Sequence, residues 1–129
     1  MNIVPDIHIR RLMPVGSQVT CDPPPPIEES DLDFLVLVWS MRRAAKQLQA
    51  QGWDVEVDRG AYGGLMINGD FFSARMHDHN LIVTSKSWFY HRFANATRLA
   101  KNLNLLDKND RCTLFAYVLH RKHETFTDK

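Results

Sequence analysis

Two aspartates stand in front of the longest apolar run of the chain, and a Gly-Ser pair precedes them. Asp31 and Asp33 lead into that run, and Gly16-Ser17 lies upstream of a proline-rich segment. Side chains at i and i+2 of a strand share one face, so both carboxylates would meet at the strand's start. Such a pair is costly unless a cation neutralises it, and oxygen ligands select Mg²⁺ or Mn²⁺. The N–H groups and hydroxyl of Gly-Ser suit nucleotide phosphates.

Each half of this pattern also has a simpler explanation. Paired aspartates at the end of a strand are more often a solvated cap than a metal site. A Gly-Ser pair is usually only a turn. The two halves in this order, leading into a buried strand, are more informative than either alone.

The surrounding pattern predicts the elements that must position these residues. The prolines exclude helix and central strand from the segment 21–30, which is expected to be a loop. The apolar run Leu32–Val38 is typical of a strand buried on both faces. An amphipathic stripe predicts a helix from Ser40 to Gln51, ended by Gly52. Further strands are expected at Ile7–Val15, Trp53–Val57, Leu65–Ile67, Phe71–Met76 and Leu81–Thr84.

Helical spacing dominates the last third of the chain, from 85 to 123. Phe89, Phe93, Ala96, Ala100 and Leu103 fall on one face, and Asp107 is placed to cap a final helix. The Asn68-Gly69 pair predicts a hairpin turn between two of the strands. This order of strands and helices predicts one α+β or α/β domain over residues 1–129.

Composition limits the classes of function. The 129 residues carry a formal net charge of +1, so no global field attracts nucleic acid or membrane. No apolar run is long enough to cross a bilayer, and the N-terminus lacks a signal-peptide core. Cys21 and Cys112 do not make a disulfide framework. These features predict a soluble protein of the cytoplasm, or of the host cytoplasm if a phage encodes it.

The motif resembles that of the nucleotidyltransferase superfamily related to DNA polymerase β. The matching residues are Gly16-Ser17, a spacer over 18–30, and Asp31-Leu32-Asp33 at a hydrophobic strand. The stretches FFSARMHDHNLIVTS, FANATRLAKNLNLLDKNDR and LFAYVLH are similar to small phage-encoded proteins usually labelled nucleotidyltransferases. This second resemblance covers most of the chain from Asp31 to His120.

The resemblance implies a minimal nucleotidyltransferase fold, in which helices pack on a mixed sheet. It also implies a mechanism: Gly16 and Ser17 hold the phosphates of a nucleoside triphosphate, and Asp31 and Asp33 bind Mg²⁺ or Mn²⁺. Such chemistry relies on positioning and on charge neutralisation by metal. In the family a third carboxylate follows on a later strand.

Asn80 occupies that third position here. Its amide oxygen can ligate a metal but cannot act as a base. Asp78, two residues earlier, would point to the same face of a continuous strand and is a possible substitute. Asp70 is a weaker one.

Other side chains have two interpretations each. Arg75 and Lys86 can bind phosphate or can be surface cations. His77 and His79 form an H-x-H pair, which suggests zinc, but a hydrogen-bonding role is several times more common. Trp88 and Tyr90, with the two phenylalanines, can stack on bases or fill the core.

Three functions follow from these residues. The first is a nucleoside-triphosphate-binding enzyme that transfers a nucleotidyl group to a hydroxyl of RNA, protein or a small molecule. The second is an inactive member of the fold that serves as a binding or regulatory module, for example a phage protein directed against a host factor. The third is a nucleic-acid-binding relative, which the near-neutral charge disfavours. The sequence does not determine the oligomeric state.

Overall fold

Eleven short elements follow one another in a computed structural model that describes residues 5–26, 31–56, 61–62, 65–66 and 69–120. Seven are strands and four are helices within these residues. In chain order they are β1 (Ile9–Val15), α1 (Ser17–Thr20), β2 (Leu32–Val38), α2 (Met41–Ala50), β3 (Asp54–Glu56), β4 (Ala61–Tyr62), β5 (Leu65–Met66), β6 (Phe72–Met76), β7 (His79–Thr84), α3 (Ser87–Asn102) and α4 (Lys108–His120).

Five of the strands form a mixed sheet in the order β1-β2-β7-β6-β3. β2 and β7 run parallel, whereas the other neighbours pair antiparallel. β4 and β5 pair with each other in a separate two-stranded sheet. The predicted α+β class and the mixed sheet are confirmed.

β2 is buried on both faces, which explains its unbroken apolar sequence. Leu35 and Leu37 point to one side, where they pack in a cluster with residues of α3 and α4. Val36 and Val38 point to the other side, where they pack in a cluster with residues of α2. The sheet therefore lies between two helical layers, and successive residues of β2 pack alternately into the two hydrophobic clusters.

The helix after β2 has the expected limits. The Ser40 side chain caps it by accepting a hydrogen bond from the Arg43 N–H at 3.2 Å. Gly52 follows its end with a φ of 95°, a conformation that favours glycine. The helical last third is also confirmed, and Phe89 and Phe93 are core residues with no exposed surface. Residues 121–123 lie outside the described residues.

The predicted hairpin turn at Asn68-Gly69 includes Asn68, which lies outside the described residues. Over the described residues, β5 pairs with β4 and not with the expected return strand β6. β6 has β7 and β3 as its two neighbours, so no edge remains for β5. The tight turn instead joins β6 to β7 through His77 and Asp78, with a φ of 54° at His77.

Candidate functional site

A cavity of about 610 Å³ opens at the N-terminal end of β2, between the sheet and α4. Six of the candidate site residues that were predicted from the sequence line it, namely Gly16, Ser17, Asp31, Asp33, Arg75 and Asn80. They come from the β1–α1 junction and from three neighbouring strands. The fold therefore brings the two halves of the sequence motif into one site.

Gly16 lies directly against Asp33. The antiparallel pairing of β1 with β2 places Val15 opposite Asp33, so the next residue passes over the carboxylate. A Cβ atom on Gly16 would lie 2.2 Å from Asp33 Oδ2, which no side chain can occupy. The φ of 80° and ψ of −175° at Gly16 also belong to a region that is essentially restricted to glycine. Glycine is thus required here for two independent reasons.

Ser17 begins a single helical turn instead of lying in a simple turn. The Gly16 carbonyl accepts hydrogen bonds from the Val19 and Thr20 N–H groups at 2.9 and 3.0 Å. The turn fixes the direction of the chain as it leaves β1. Ser17 is held at the cavity wall by that geometry.

Three polar residues form a row across the sheet. Parallel pairing sets Asp33 beside Asn80, and antiparallel pairing sets Asn80 beside Arg75. The Asn80 Nδ2 donates a hydrogen bond to Asp33 Oδ1 at 3.1 Å. Arg75 forms an ion pair with Asp31, whose carboxylate lies two residues before Asp33 on the same face. The guanidinium of Arg75 therefore neutralises part of the negative charge for which the sequence predicted a metal cation.

Burial raises the pKa of the Asp33 carboxyl from 3.8 to about 6. The hydrogen bond from Asn80 and the charge of Arg75 lower the pKa, while the charge of Asp31 raises it. Burial prevails because removing a carboxylate from water penalises its ionised form. Asp33 is therefore a carboxylate whose charge a bound cation would stabilise.

The carboxylates fit a hard divalent cation. No cluster of three or more His, Cys, Asp or Glu side chains that could hold a metal occurs in the part of the chain that the structure describes. Mg²⁺, however, is commonly bound by one or two carboxylates, with phosphate and water oxygens completing its shell. Asp31 and Asp33 are the two carboxylates of this site that could hold such a cation.

The start of α4 contributes two cations that the sequence interpretation did not assign to the site, Lys108 and Arg111. The Nη1 of Arg111 donates to the carbonyl oxygens of Leu105 at 2.9 Å and Leu106 at 2.8 Å, and lies 3.2 Å from Cys21 Sγ. It ties α4 to the proline-rich segment. The two basic residues in the first turn of α4 were the only sequence feature that could have indicated this role. They lie so far from β2 in the sequence that nothing linked them to the site.

Two predicted site residues lie elsewhere. Asp78 is in the β6–β7 turn and not in a continuous strand, so it does not share a face with Asn80. Its Oδ1 lies 2.8 Å from His79 Nδ1. Lys86 pairs with Asp70 at 3.1 Å and does not line the cavity. Asp78 is displaced from the site because it belongs to a tight turn. Lys86 is displaced because it forms a local ion pair.

The sequence favoured a hydrogen-bonding role for the H-x-H pair, and His79 has one, since its Nδ1 lies 2.8 Å from Asp78 Oδ1. His77 is in the turn, whereas His79 is buried in β7 and stacks on Phe34 with ring centroids 6.0 Å apart. The two imidazoles therefore do not share a strand face.

No protein-family model, curated protein or solved structure matches this chain. Over the described residues, none of the helices combines the length and the apolar character that crossing a membrane requires.

Proposed function

We propose that the protein binds a nucleoside triphosphate together with Mg²⁺ or Mn²⁺ in the cavity, and transfers its nucleotidyl group to a hydroxyl acceptor. The contact between Gly16 and Asp33 carries the proposal, because it joins the Gly-Ser pair to the Asp-x-Asp carboxylates. This is the juxtaposition that the resemblance to nucleotidyltransferases requires.

In this proposal Asp31 and Asp33 hold the metal, which supplies charge neutralisation at the phosphates. Gly16 brings the start of α1 against Asp33, and Ser17 supplies its hydroxyl and backbone N–H to the phosphate oxygens. Lys108, on the opposite wall, adds positive charge for the distal phosphates. An acceptor hydroxyl oxygen then bonds to the α-phosphorus, the bond to the pyrophosphate oxygen breaks, and the hydroxyl proton passes to water.

A thermal-shift titration with each nucleoside triphosphate, with and without Mg²⁺ or Mn²⁺, tests binding. A ligand at a hundred times its Kd stabilises the folded state by about 2.7 kcal/mol. We expect that stabilisation to need metal and to be lost in Asp33→Asn, which keeps the side chain's shape. Asp6→Asn is the matched control, since Asp6 is an exposed aspartate outside the cavity. No metal-dependent shift in the wild type would refute the site.

A second candidate function is nucleotide binding without transfer, in a regulatory module. The Asn80 side chain favours it, because an amide that donates to Asp33 cannot serve as a general base. Pyrophosphate release, measured with candidate RNA, protein and small-molecule acceptors, separates the two. Release that disappears in Asp33→Asn supports the enzyme, whereas metal-dependent binding with no release supports the module.

The proposed compartment is reducing, as in the cytoplasm. Cys21 and Cys112 are both free thiols and both line the cavity. Oxidation there would alter the nucleotide site, so a reducing environment suits the proposed activity.

A further inference from the structure

The indole of Trp39 is exposed at the C-terminal end of β2. Its relative exposure is 68%, although large aromatic side chains are usually well buried. The guanidinium carbon of Arg10 lies 3.9 Å from the ring centroid, which is a cation–π contact on the indole face. This contact holds the ring in place while leaving most of it open to solvent.

Two cations lie at this tryptophan. Arg10 contacts the indole face, and the exposed Arg43 lines a groove together with Trp39. Residues 7–15 and 34–53 contain five Lys and Arg residues and no Asp or Glu, although the whole chain carries only +1. The sequence on both sides of Trp39 is therefore locally rich in positive charge.

The shape of this region suits an extended ligand. A shallow groove of about 60 Å³ runs between the beginning of β1 and α2, lined in part by His8, Trp39 and Arg43. Pockets for small molecules usually hold several hundred Å³, so a compact ligand would not be enclosed. We call His8, Arg10, Trp39 and Arg43 the Trp39 surface.

The Trp39 surface is separate from the cavity. Asp33 and Trp39 lie at opposite ends of β2, roughly 20 Å apart at the rise of an extended strand. The cavity lies on the α4 side of the sheet, whereas the groove includes residues of α2. Binding at one site is therefore testable without the other.

We propose that the Trp39 surface binds single-stranded nucleic acid. An unpaired base stacks on the open part of the indole, and neighbouring phosphates contact Arg10 and Arg43. Aromatic stacking combined with a cationic path is the recurring means of binding single strands without sequence preference. A duplex hides its base faces and would leave Trp39 unused, so the exposed ring favours a single strand.

Fluorescence anisotropy of a labelled oligothymidylate or oligouridylate of about 12 nucleotides tests this proposal, because single-strand sites span roughly 4–16 nucleotides. We expect a Kd of about 10⁻⁴ to 10⁻⁶ M, which weakens with salt. Trp39→Ala should weaken binding at least about fivefold, the lower end of the usual loss of one stacked base. Trp39→Phe should retain most of the affinity. Arg43→Ala should reduce the salt slope by roughly 0.7 for each lost phosphate contact.

Tyr117→Ala is the matched control, because Tyr117 on α4 is exposed to 64% and lies outside the Trp39 surface. It should bind the oligonucleotide like the wild type. Circular dichroism verifies that each variant is folded. Equal binding by Trp39→Ala and the wild type, or no oligonucleotide binding at low salt, would overturn the proposal. So would binding of an acidic peptide but no oligonucleotide, which would assign the surface to a protein partner.

Discussion

At Gly16 the backbone passes so close to Asp33 that the position has no room for a side chain. The distance of 2.2 Å from a hypothetical Cβ to Asp33 Oδ2 is far inside any real contact. The neighbouring atom belongs to the carboxylate that the proposed function uses. Gly16 therefore links backbone conformation to the chemistry of the site.

We expect Gly16→Ala to destabilise the protein by about 2–3 kcal/mol, through backbone strain and displacement of Asp33. Nucleotide binding should be lost as well. Gly69→Ala is the matched control, since Gly69 also has a positive φ, of 74°, but no atom within 4 Å of its Cβ position. It should cost only about 1–2 kcal/mol of backbone strain. Urea denaturation measures both, and equal losses would contradict the close approach.

The raised pKa of Asp33 makes stability depend on pH in a defined direction. The folded pKa of about 6 lies above the ordinary value of 3.8, so the native state binds more protons between these values. The stabilisation that comes from protonated Asp33 is fully present below about pH 4 and is lost as the pH rises through 6. At neutral pH the ionised carboxylate costs at most about 3 kcal/mol.

Asp33→Asn should therefore be more stable than the wild type at pH 7, and the difference should shrink toward pH 4. The amide can still accept the hydrogen bond from Asn80. Urea denaturation from pH 4 to pH 8 measures this, with Asp6→Asn as the control. Parallel stability profiles for the wild type and Asp33→Asn would show that Asp33 has an ordinary pKa.

At the scale of the elements, strand register decides which polar residues meet. β7 lies between β2 and β6, so Asn80 touches Asp33 on one side and adjoins Arg75 on the other. The periodicity of β2 alone predicts that Asp31 and Asp33 share a face. The position of Asn80 beside them depends on a pairing between strands some fifty residues apart in sequence.

Asn80→Asp should create a third carboxylate at this register position. We expect a loss of about 1–3 kcal/mol without metal, because a hydrogen bond is replaced by repulsion from Asp33. Mg²⁺ or Mn²⁺ should restore the stability and bind more tightly than in the wild type. Thermal melts with and without metal measure this, and Asn80→Ala controls for loss of the amide. Identical metal responses in the wild type and Asn80→Asp would contradict the proposed metal position.

Whole-molecule stability depends on one sheet that serves two cores. Leu35 packs on the α3–α4 side and Leu48 of α2 packs on the other side, and both have no exposed surface. Because alternate residues of the same strands enter each core, neither layer is independent of the other. The domain should therefore unfold as one unit.

Leu35→Ala and Leu48→Ala delete the same atoms from the two cores. Each should cost about 2–5 kcal/mol, and each variant should unfold in a single transition. Unfolding followed by both far-ultraviolet circular dichroism and tryptophan fluorescence tests this. Two separated transitions in either variant would show that the layers unfold independently.

The predictable parts of this molecule depend on short-range patterns. The buried strand β2, the capped helix α2 and the core positions of Phe89 and Phe93 follow from periodicity and end signals. The expected pairing of β5 with β6 is not seen over the described residues, because β6 pairs with β3 and β7. A local turn signal carries no information about such competition between strands. Arg111 and Lys108 were left unassigned for a similar reason, since helix periodicity does not tell which cavity a first turn will face.

The sequence by itself determined the alternation that pairs Asp31 with Asp33, the helix limits and the α+β class, because these depend on residues a few positions apart. Only the tertiary structure decided that Gly16 packs on Asp33 and that Asn80 hydrogen-bonds to it. The tertiary structure also decided that Asp78 and Lys86 lie outside the cavity and that Trp39 is exposed. Those outcomes depend on strand order and layer packing, where distant segments compete for the same edges and faces.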